Sequence, residues 1–206
     1  MGRTEAVLFD LLSGLIDSWE LWDTIAGDSE HGRVWRRAYL ELTYATGKYE
    51  DFEALIDEAA LNAPVHNNAG VELVDRWDEL APWEEAGDIL NELQGLGLMI
   101  GVVTNCSQRL GERAADRIGV DFDVVSTAER AGEYKPNPGP YTLAIDELDV
   151  RPEHVLFVSG SGRDIPGARQ LGMRAIWHNR IGLAKPDEVT NITTIDTLNE
   201  LLDYLD

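Results

Sequence analysis

The stretch AVLFDLLSGLIDSW, residues 6–19, runs from apolar residues into a single acid, Asp10, and straight back into apolar residues. A short buried-type run closed by a carboxylate reads as a strand that delivers the acid to the carboxyl edge of a parallel sheet. Open α/β sheets gather their ligands at that edge. An Asp in that place also serves as a simple cap of the following turn. The rest of the chain decides between the two readings.

Apolar runs recur at 5–9 (EAVLF), 98–103 (LMIGVV), 122–126 (FDVVS), 154–158 (HVLFV) and 174–178 (RAIWH), with helix-like stretches between the later ones. The alternation predicts an α/β fold, a Rossmann-like parallel sheet core with helices on both faces. Residues 16–80 carry no comparable strand and show helical spacing instead, as in HGRVWRRAYLELTYATG and YEDFEALIDEAALNA. They predict a helical cap domain (16–80) inserted after the first strand, with residues 1–15 and 81–206 forming the core domain. Gly47, Pro64 and NNAG at 67–70 punctuate the cap, and Pro82 marks the return.

Composition narrows the function. A chain of 206 residues with 44% hydrophobic content can bury a substantial core. Its 38 acidic and 17 basic residues give a formal charge of -21, spread along the chain, which argues against nucleic acid or an anionic membrane as partner. Lysine occurs only at 48, 135 and 185. Such a surface suits a halophile, because in molar salt the Debye length falls to roughly 3 Å and self-repulsion is screened. No basic-then-apolar leader opens the chain and no apolar run approaches the roughly 20 residues of a membrane span, so the expected location is cytoplasmic. Cys106 stands alone, which rules out an internal disulfide and a thiolate cluster for zinc.

The ends of the later strands weigh on Asp10. VVTNCS puts Thr104 and Asn105 at one strand end, EYKPNPGPY puts Lys135 after the next, and FVSGSGRD puts Ser159, Ser161 and Asp164 after the fourth. Two carboxylates, a lysine and several hydroxyl or amide groups thus converge on one edge, a constellation suited to chemistry.

In this order and spacing the chain resembles the haloacid dehalogenase superfamily, and within it the L-2-haloacid dehalogenases. DLLSGLID at 10–17 is similar to their D-x-Y-G-T-L-F-D, whereas phosphatase members carry D-x-D, so Leu12 stands where a phosphatase has its general acid. WRRAYLELTYATGKYEDF at 35–52 resembles W-R-x-x-x-L-E-x-T with its following G-R/K-Y-x-D-F, which places Arg36 at the halide-binding arginine. KPNPGPY at 135–141 fits K-P-x-P-x-x-Y, ending on Tyr141, and IWHNR at 176–180 resembles W-x-N-R. The chain departs from the pattern at Gly14, where dehalogenases carry Thr, and at Gly160 and Ser161, where they carry Ser and Asn. Arg163 replaces an aromatic. Ser13 and Ser159 are the hydroxyls available to replace lost contacts.

The resemblance implies hydrolysis of short (S)-2-haloacids to (R)-2-hydroxy acids through an aspartyl ester, with Asp10, Lys135 and Asp164 catalytic. It implies that Arg36, Thr104, Asn105, Ser159, Ser161 and Tyr141 bind substrate or halide, with no metal and no cofactor. The implied partner is a small 2-halocarboxylate, and the implied assembly a homodimer. The residue types suit this chemistry. An isolated Asp, with pKa about 3.9, is already ionised at neutral pH, an ammonium beside it offsets the charge of a second carboxylate, and a weakly hydrated guanidinium suits a departing halide. Read as a pocket residue on a helix face, Arg36 is expected to matter to turnover and little to stability. Trp35 and Trp177 read as core residues. Two alternatives stay open: a Mg²⁺-dependent small-molecule phosphatase holding its metal between Asp10 and Asp164, and an inactive member that binds a ligand or partner.

Overall fold

Every residue of β1 (Ala6–Asp10) is buried, and its side chains divide alternately between two apolar cores. Val7 and Phe9 belong to one core and Ala6 and Leu8 to the other, as expected of a central strand covered on both faces. The computed structural model describes residues 3–187 and 189–205; residues 1, 2, 188 and 206 of the expected core lie outside them. Further strands are β2 (Ile16–Asp17), β3 (Ala81–Pro82), β4 (Met99–Thr104), β5 (Val124–Thr127), β6 (Val155–Ser159), β7 (Arg174–His178) and β8 (Thr193–Ile195). Six of them form one parallel sheet in the order β5-β4-β1-β6-β7-β8. The predicted strands are all present, shifted by up to two residues at their starts, and β8 is an edge strand that the apolar pattern did not reveal.

After β1 the backbone makes one wide helical turn, Leu11–Leu15, and then enters β2, which pairs antiparallel with β3. The segment between 16 and 81 is therefore entered and left through a two-strand neck, although its sequence shows no strand-like run. Beyond the neck come α1 (Ser18–Ala26), α2 (Ser29–Thr46), α3 (Phe52–Leu61) and α4 (Ala69–Asp75). Asp17, Asp28 and Asp51 cap the first three, each accepting a backbone N–H of the first turn. Gly47, at φ +69°, ends α2 in the left-handed region that favours glycine.

The helical segment leans on the sheet through side chains. Tyr39 donates its hydroxyl to the Asn105 carbonyl at 3.2 Å, and Glu53 accepts from Ser107 at 3.1 Å and from Arg109 at 2.9 Å. The sheet is flanked by α5 (Ala86–Gly95), α6 (Gln108–Asp116), α7 (Ala128–Ala131), α8 (Gly139–Leu148) and α9 (Ile165–Gln170). No described helix is long and apolar enough to cross a membrane.

Candidate active site

A cavity of about 680 Å³ lies between the carboxyl edge of the sheet and helices α1 and α2. Asp10 ends β1, Asp164 follows β6 and Lys135 follows β5 and the short helix α7, so the parallel order β5-β4-β1-β6 brings these groups to one edge. The Lys135 ammonium lies 2.6 Å from Asp10 Oδ1 and 2.8 Å from Asp164 Oδ2, with all three side chains buried. Both carboxylates therefore share one cation.

Their environments differ. Burial pushes the Asp10 carboxyl up, but the Lys135 charge and hydrogen bond, a hydrogen bond from Ser13 and the charge of Arg36 outweigh it and hold it below its ordinary value. Asp164 is raised by burial and by the charge of Asp10, against which Lys135 and Ser159 act only in part. Lys135 is held well above its ordinary value, since two carboxylates outweigh its burial. The arrangement keeps an ionised carboxylate, Asp10, beside one of higher proton affinity, Asp164, a division that suits one to attack and the other to accept a proton.

Arg36 reaches the cavity from the opposite wall. Gly32 lies so close to Asp23 of α1 that a side chain there would collide with it, so α1 and α2 cross tightly. One turn later, on the same face, the Arg36 guanidinium lies 4.0 Å from the Trp19 ring centroid and donates to Ser18 Oγ at 2.7 Å. The Ser18 hydroxyl in turn donates to the Leu12 carbonyl, which ties this wall to the turn after Asp10. Arg36 forms no ion pair among the described residues, and burial lowers its proton affinity. A buried guanidinium stacked on an aromatic, with no carboxylate bonded to it, has the chemistry to receive an anion. Burial also corrects the expectation about stability: truncating Arg36 to Ala would open a void, a cost that surface substitutions do not carry.

The other expected residues divide. Thr104, Asn105 and Ser161 line the cavity. The Asn105 side chain, however, is committed to the Lys135 backbone, accepting its N–H at 2.7 Å and donating to its carbonyl at 3.3 Å, so it holds the lysine in place. The Thr104 hydroxyl lies 3.2 Å from Cys106 Sγ. Ser159 and Tyr141, expected to touch substrate, do not line the cavity. Ser159 bonds the Ser161 backbone and the Asp164 carboxylate, and Tyr141 donates to the Asp164 carbonyl at 3.2 Å; both secure the Asp164 loop from behind. Trp35 is a core residue as expected, whereas Trp177, though buried, also lines the cavity and donates to the Gly160 carbonyl at 3.3 Å.

Ser13 is the hydroxyl partner of Asp10, donating to its Oδ2 at 2.7 Å. Gly160 packs against it so closely that a Cβ would run into the Ser13 backbone and hydroxyl and the Gly14 nitrogen. There is no room at 160 for the first acid of a phosphatase motif, and Leu12 offers an apolar wall where a general acid would stand.

The family model described as haloacid dehalogenase-like hydrolase matches residues 4–172. The chain is 31% identical over 205 residues to (S)-2-haloacid dehalogenase 1 of Pseudomonas sp. (strain CBS-3), covering 91% of this chain and 89% of the relative. It is 28% identical over 223 residues to (S)-2-haloacid dehalogenase H-109 of Pseudomonas putida, covering 100% and 99%. A crystal structure of a dehalogenase with an intermediate complex superposes with a TM-score of 0.87 at 25% identity, covering 100% of this chain and 98% of the other.

Proposed function

The chain belongs to the haloacid dehalogenase-like hydrolase family, and on that premise we propose that it hydrolyses short (S)-2-haloacids to (R)-2-hydroxy acids. Asp10 attacks C2 from the side opposite the halogen, the C–O bond of an ester forms as the carbon–halogen bond breaks, and the halide departs to Arg36. Water then attacks the ester carbonyl of Asp10. Asp164 takes one proton of that water and returns it to the departing C2 oxygen as the acyl C–O bond breaks, which releases the hydroxy acid, inverted at C2; Asp10 is left as a carboxylic acid and loses its proton to solvent. Lys135 keeps the free Asp10 carboxylate ionised before the attack and steadies the tetrahedral oxyanion during ester hydrolysis. Backbone N–H groups of the Thr104–Asn105 turn and the Ser161 hydroxyl are the candidates for holding the substrate carboxylate.

The observation that carries this reading is the single ammonium shared by two buried carboxylates of unequal proton affinity, facing a buried arginine across one cavity. The crowding at Gly160 and the apolar Leu12 speak against the phosphatase alternative, since a hard cation wants several oxygen ligands. Halide release from (S)-2-chloropropionate, run beside phosphate release from a phosphomonoester, tests the choice. Release of phosphate alone would overturn it.

The same reading makes residues 16–80 a cap domain over a core of 1–15 and 81–206, and the protein a cytoplasmic homodimer. The charge of -21 supports a surface suited to high salt. Its melting temperature should then rise in molar KCl, and light scattering would report the dimer.

A further inference from the structure

Six of the chain's 17 basic residues line the cavity that holds Asp10. Two of them, Arg36 and Lys135, are buried and take part in the chemistry above. The other four, Arg33, Arg37, Arg163 and Lys185, are exposed and form no ion pair among the described residues. That is unusual in this chain, where acids outnumber bases 38 to 17 and Arg76, Arg109, Arg113, Arg130 and Arg180 each hold a carboxylate. The acids lining the cavity are Asp10 and Asp164, both already on Lys135, and Asp187. The mouth is thus a cluster of cations without a salt-bridge partner among the described residues, on a protein whose overall field repels anions.

These cations come from different walls. Arg33, Arg36 and Arg37 share a face of α2 by i, i+3 and i+4 spacing, two exposed positions beside a buried one. Arg163 belongs to the turn after β6, with its guanidinium 5.7 Å from the ring centroid of Tyr44 on α2, and Lys185 to the segment after β7. Apolar side chains of Leu12, Trp19, Leu40 and Trp177 line the same space.

Size points the same way. A three-carbon haloacid displaces about the volume of six waters at roughly 30 Å³ each. The cavity, at about 680 Å³, is several times larger, in the range of roughly 300–1,000 Å³ typical of sites for much larger ligands. The proposed reaction assigns the halide to Arg36 and the first carboxylate to the Thr104–Asn105 turn and Ser161. Neither needs four more cations.

We propose that the mouth receives a second anionic group, so that the preferred substrate is a 2-haloacid whose chain ends in a second carboxylate. This rests on the dehalogenase reading. The aliphatic chain lies along the apolar wall, and the distal carboxylate meets Arg37 and Arg163, with Arg33 and Lys185 beside them. Single exposed pairs are worth at most about 1 kcal/mol. Several like charges converging on a cleft also concentrate an anion there and speed its entry.

The test compares kcat/KM for (S)-2-chlorosuccinate and (S)-2-chlorobutyrate, acids of equal chain length, on the full chain in dilute salt. The diacid should be favoured by about tenfold or more. The double variant Arg37→Gln/Arg163→Gln should bring the ratio close to parity, Arg37→Lys/Arg163→Lys should retain most of it, and Lys185→Gln should lower it in part. Parity or a preference for the monoacid in the unmodified protein would overturn the proposal and leave the dehalogenase reading standing. So would a ratio untouched by the double Gln variant. Halide release from neither acid, nor from (S)-2-chloropropionate, would overturn both.

Discussion

Ser13 donates its hydroxyl to Oδ2 of Asp10 at 2.7 Å, while Oδ1 of the same carboxylate receives the Lys135 ammonium at 2.6 Å. Each oxygen of the Asp10 carboxylate thus has its own donor, which fixes its plane. The hydroxyl comes from the residue before Gly14, so the Ser-Gly order at 13 and 14 supplies it one position earlier than a Gly-Thr order would. The turn that carries it is held from outside: Trp83 donates to the Ser13 carbonyl at 3.3 Å, and the buried His178 ring meets the Gly14 carbonyl at 2.9 Å. Burial lowers the proton affinity of His178, which leaves the neutral ring with its Nδ1–H as the donor in that contact.

Replacing Ser13 by Ala should therefore slow ester formation. A hydrogen bond to a charged group is worth about 1.5–3 kcal/mol, so single turnovers with enzyme in excess should slow by about tenfold or more. The acid limb of that step should move to higher pH, because one of the groups holding Asp10 below its ordinary value is gone. Transposing the hydroxyl, Ser13→Gly with Gly14→Thr, should restore part of the rate, since a Cβ at 14 meets Asp10 Cβ and the Val158 carbonyl at an ordinary 3.4 Å. An Ala variant with unchanged single-turnover rate and pH profile would remove Ser13 from the positioning of Asp10.

Lys135 ties stability to pH. Asp10, held below its ordinary value of about 3.9, contributes stability above that pH and loses it as pH falls through the folded value. Asp164, raised, acts in the opposite sense, since keeping it ionised costs the fold as pH climbs from the ordinary value through the folded one. Lys135, raised above about 10.4, contributes fully below that pH and loses its share only towards its higher folded value. Lys135→Met leaves two buried carboxylates without a cation and should cost about 3–5 kcal/mol near neutrality. The loss should be smaller at about pH 5 than at about pH 8, because the pair can then hold a proton. Thermal melts of both proteins at the two pH values provide the check, and an equal loss at each would contradict a shared ammonium.

The sheet, and the meeting of Asp10, Lys135 and Asp164 at its carboxyl edge, were legible because both are local signals. Apolar runs marked the buried strands, and Asp10, Lys135 and Asp164 each lie at or beyond the carboxyl end of one. β8 (Thr193–Ile195) gave no such signal, since a three-residue edge strand reading TTI carries only one fully buried apolar residue. The neck of β2 and β3 is two residues on each side and includes Pro82, which no periodicity can mark. Ser13 and Ser159 were equivalent hydroxyls in the sequence; the wide turn after Asp10 aims one at the nucleophile, while the β6 end folds the other back onto its own loop. Tyr141 followed its motif into place, but its hydroxyl points at the Asp164 backbone from outside the cavity. The exposed rim arginines were invisible because their convergence depends on how α2 sits over the β6 turn.

Arg36 should separate function from stability in a particular way. The guanidinium is buried, stacked on Trp19 and unpaired with any carboxylate among the described residues. Replacing such a buried ion by an apolar side chain of similar length is often neutral or stabilising by about 1–4 kcal/mol. Arg36→Met should accordingly melt no lower than the unmodified protein while halide release falls about 100-fold or more. Arg36→Ala should lose activity and also melt lower, because it leaves a void beside Trp19. Near-normal turnover in the Met variant would move the halide site elsewhere on the cavity wall, with Arg37 the next group to test.

The source of the oxygen delivered to C2 decides whether Asp10 is a nucleophile or only an orienting charge. Attack by Asp10 and direct attack by water both release halide, and both invert C2, because in the two-step route the second attack falls on the aspartyl carbonyl. Stereochemistry is silent on the point. With enzyme in excess over an (S)-2-haloacid in H₂¹⁸O, the ester route takes the first-turnover oxygen from the unlabelled carboxylate. The 2-hydroxy acid should then carry little label, and mass spectrometry of the peptide holding Asp10 should show the gain of ¹⁸O. Asp10→Asn should not form the ester, since a neutral amide lacks the charge that Lys135 and Ser13 hold in place. Direct attack predicts the reverse, with label in the first-turnover hydroxyl and an unlabelled peptide. That result would reassign Asp10 to holding Lys135 beside the substrate and would leave Asp164, the carboxylate of higher proton affinity, as the group that activates water against C2.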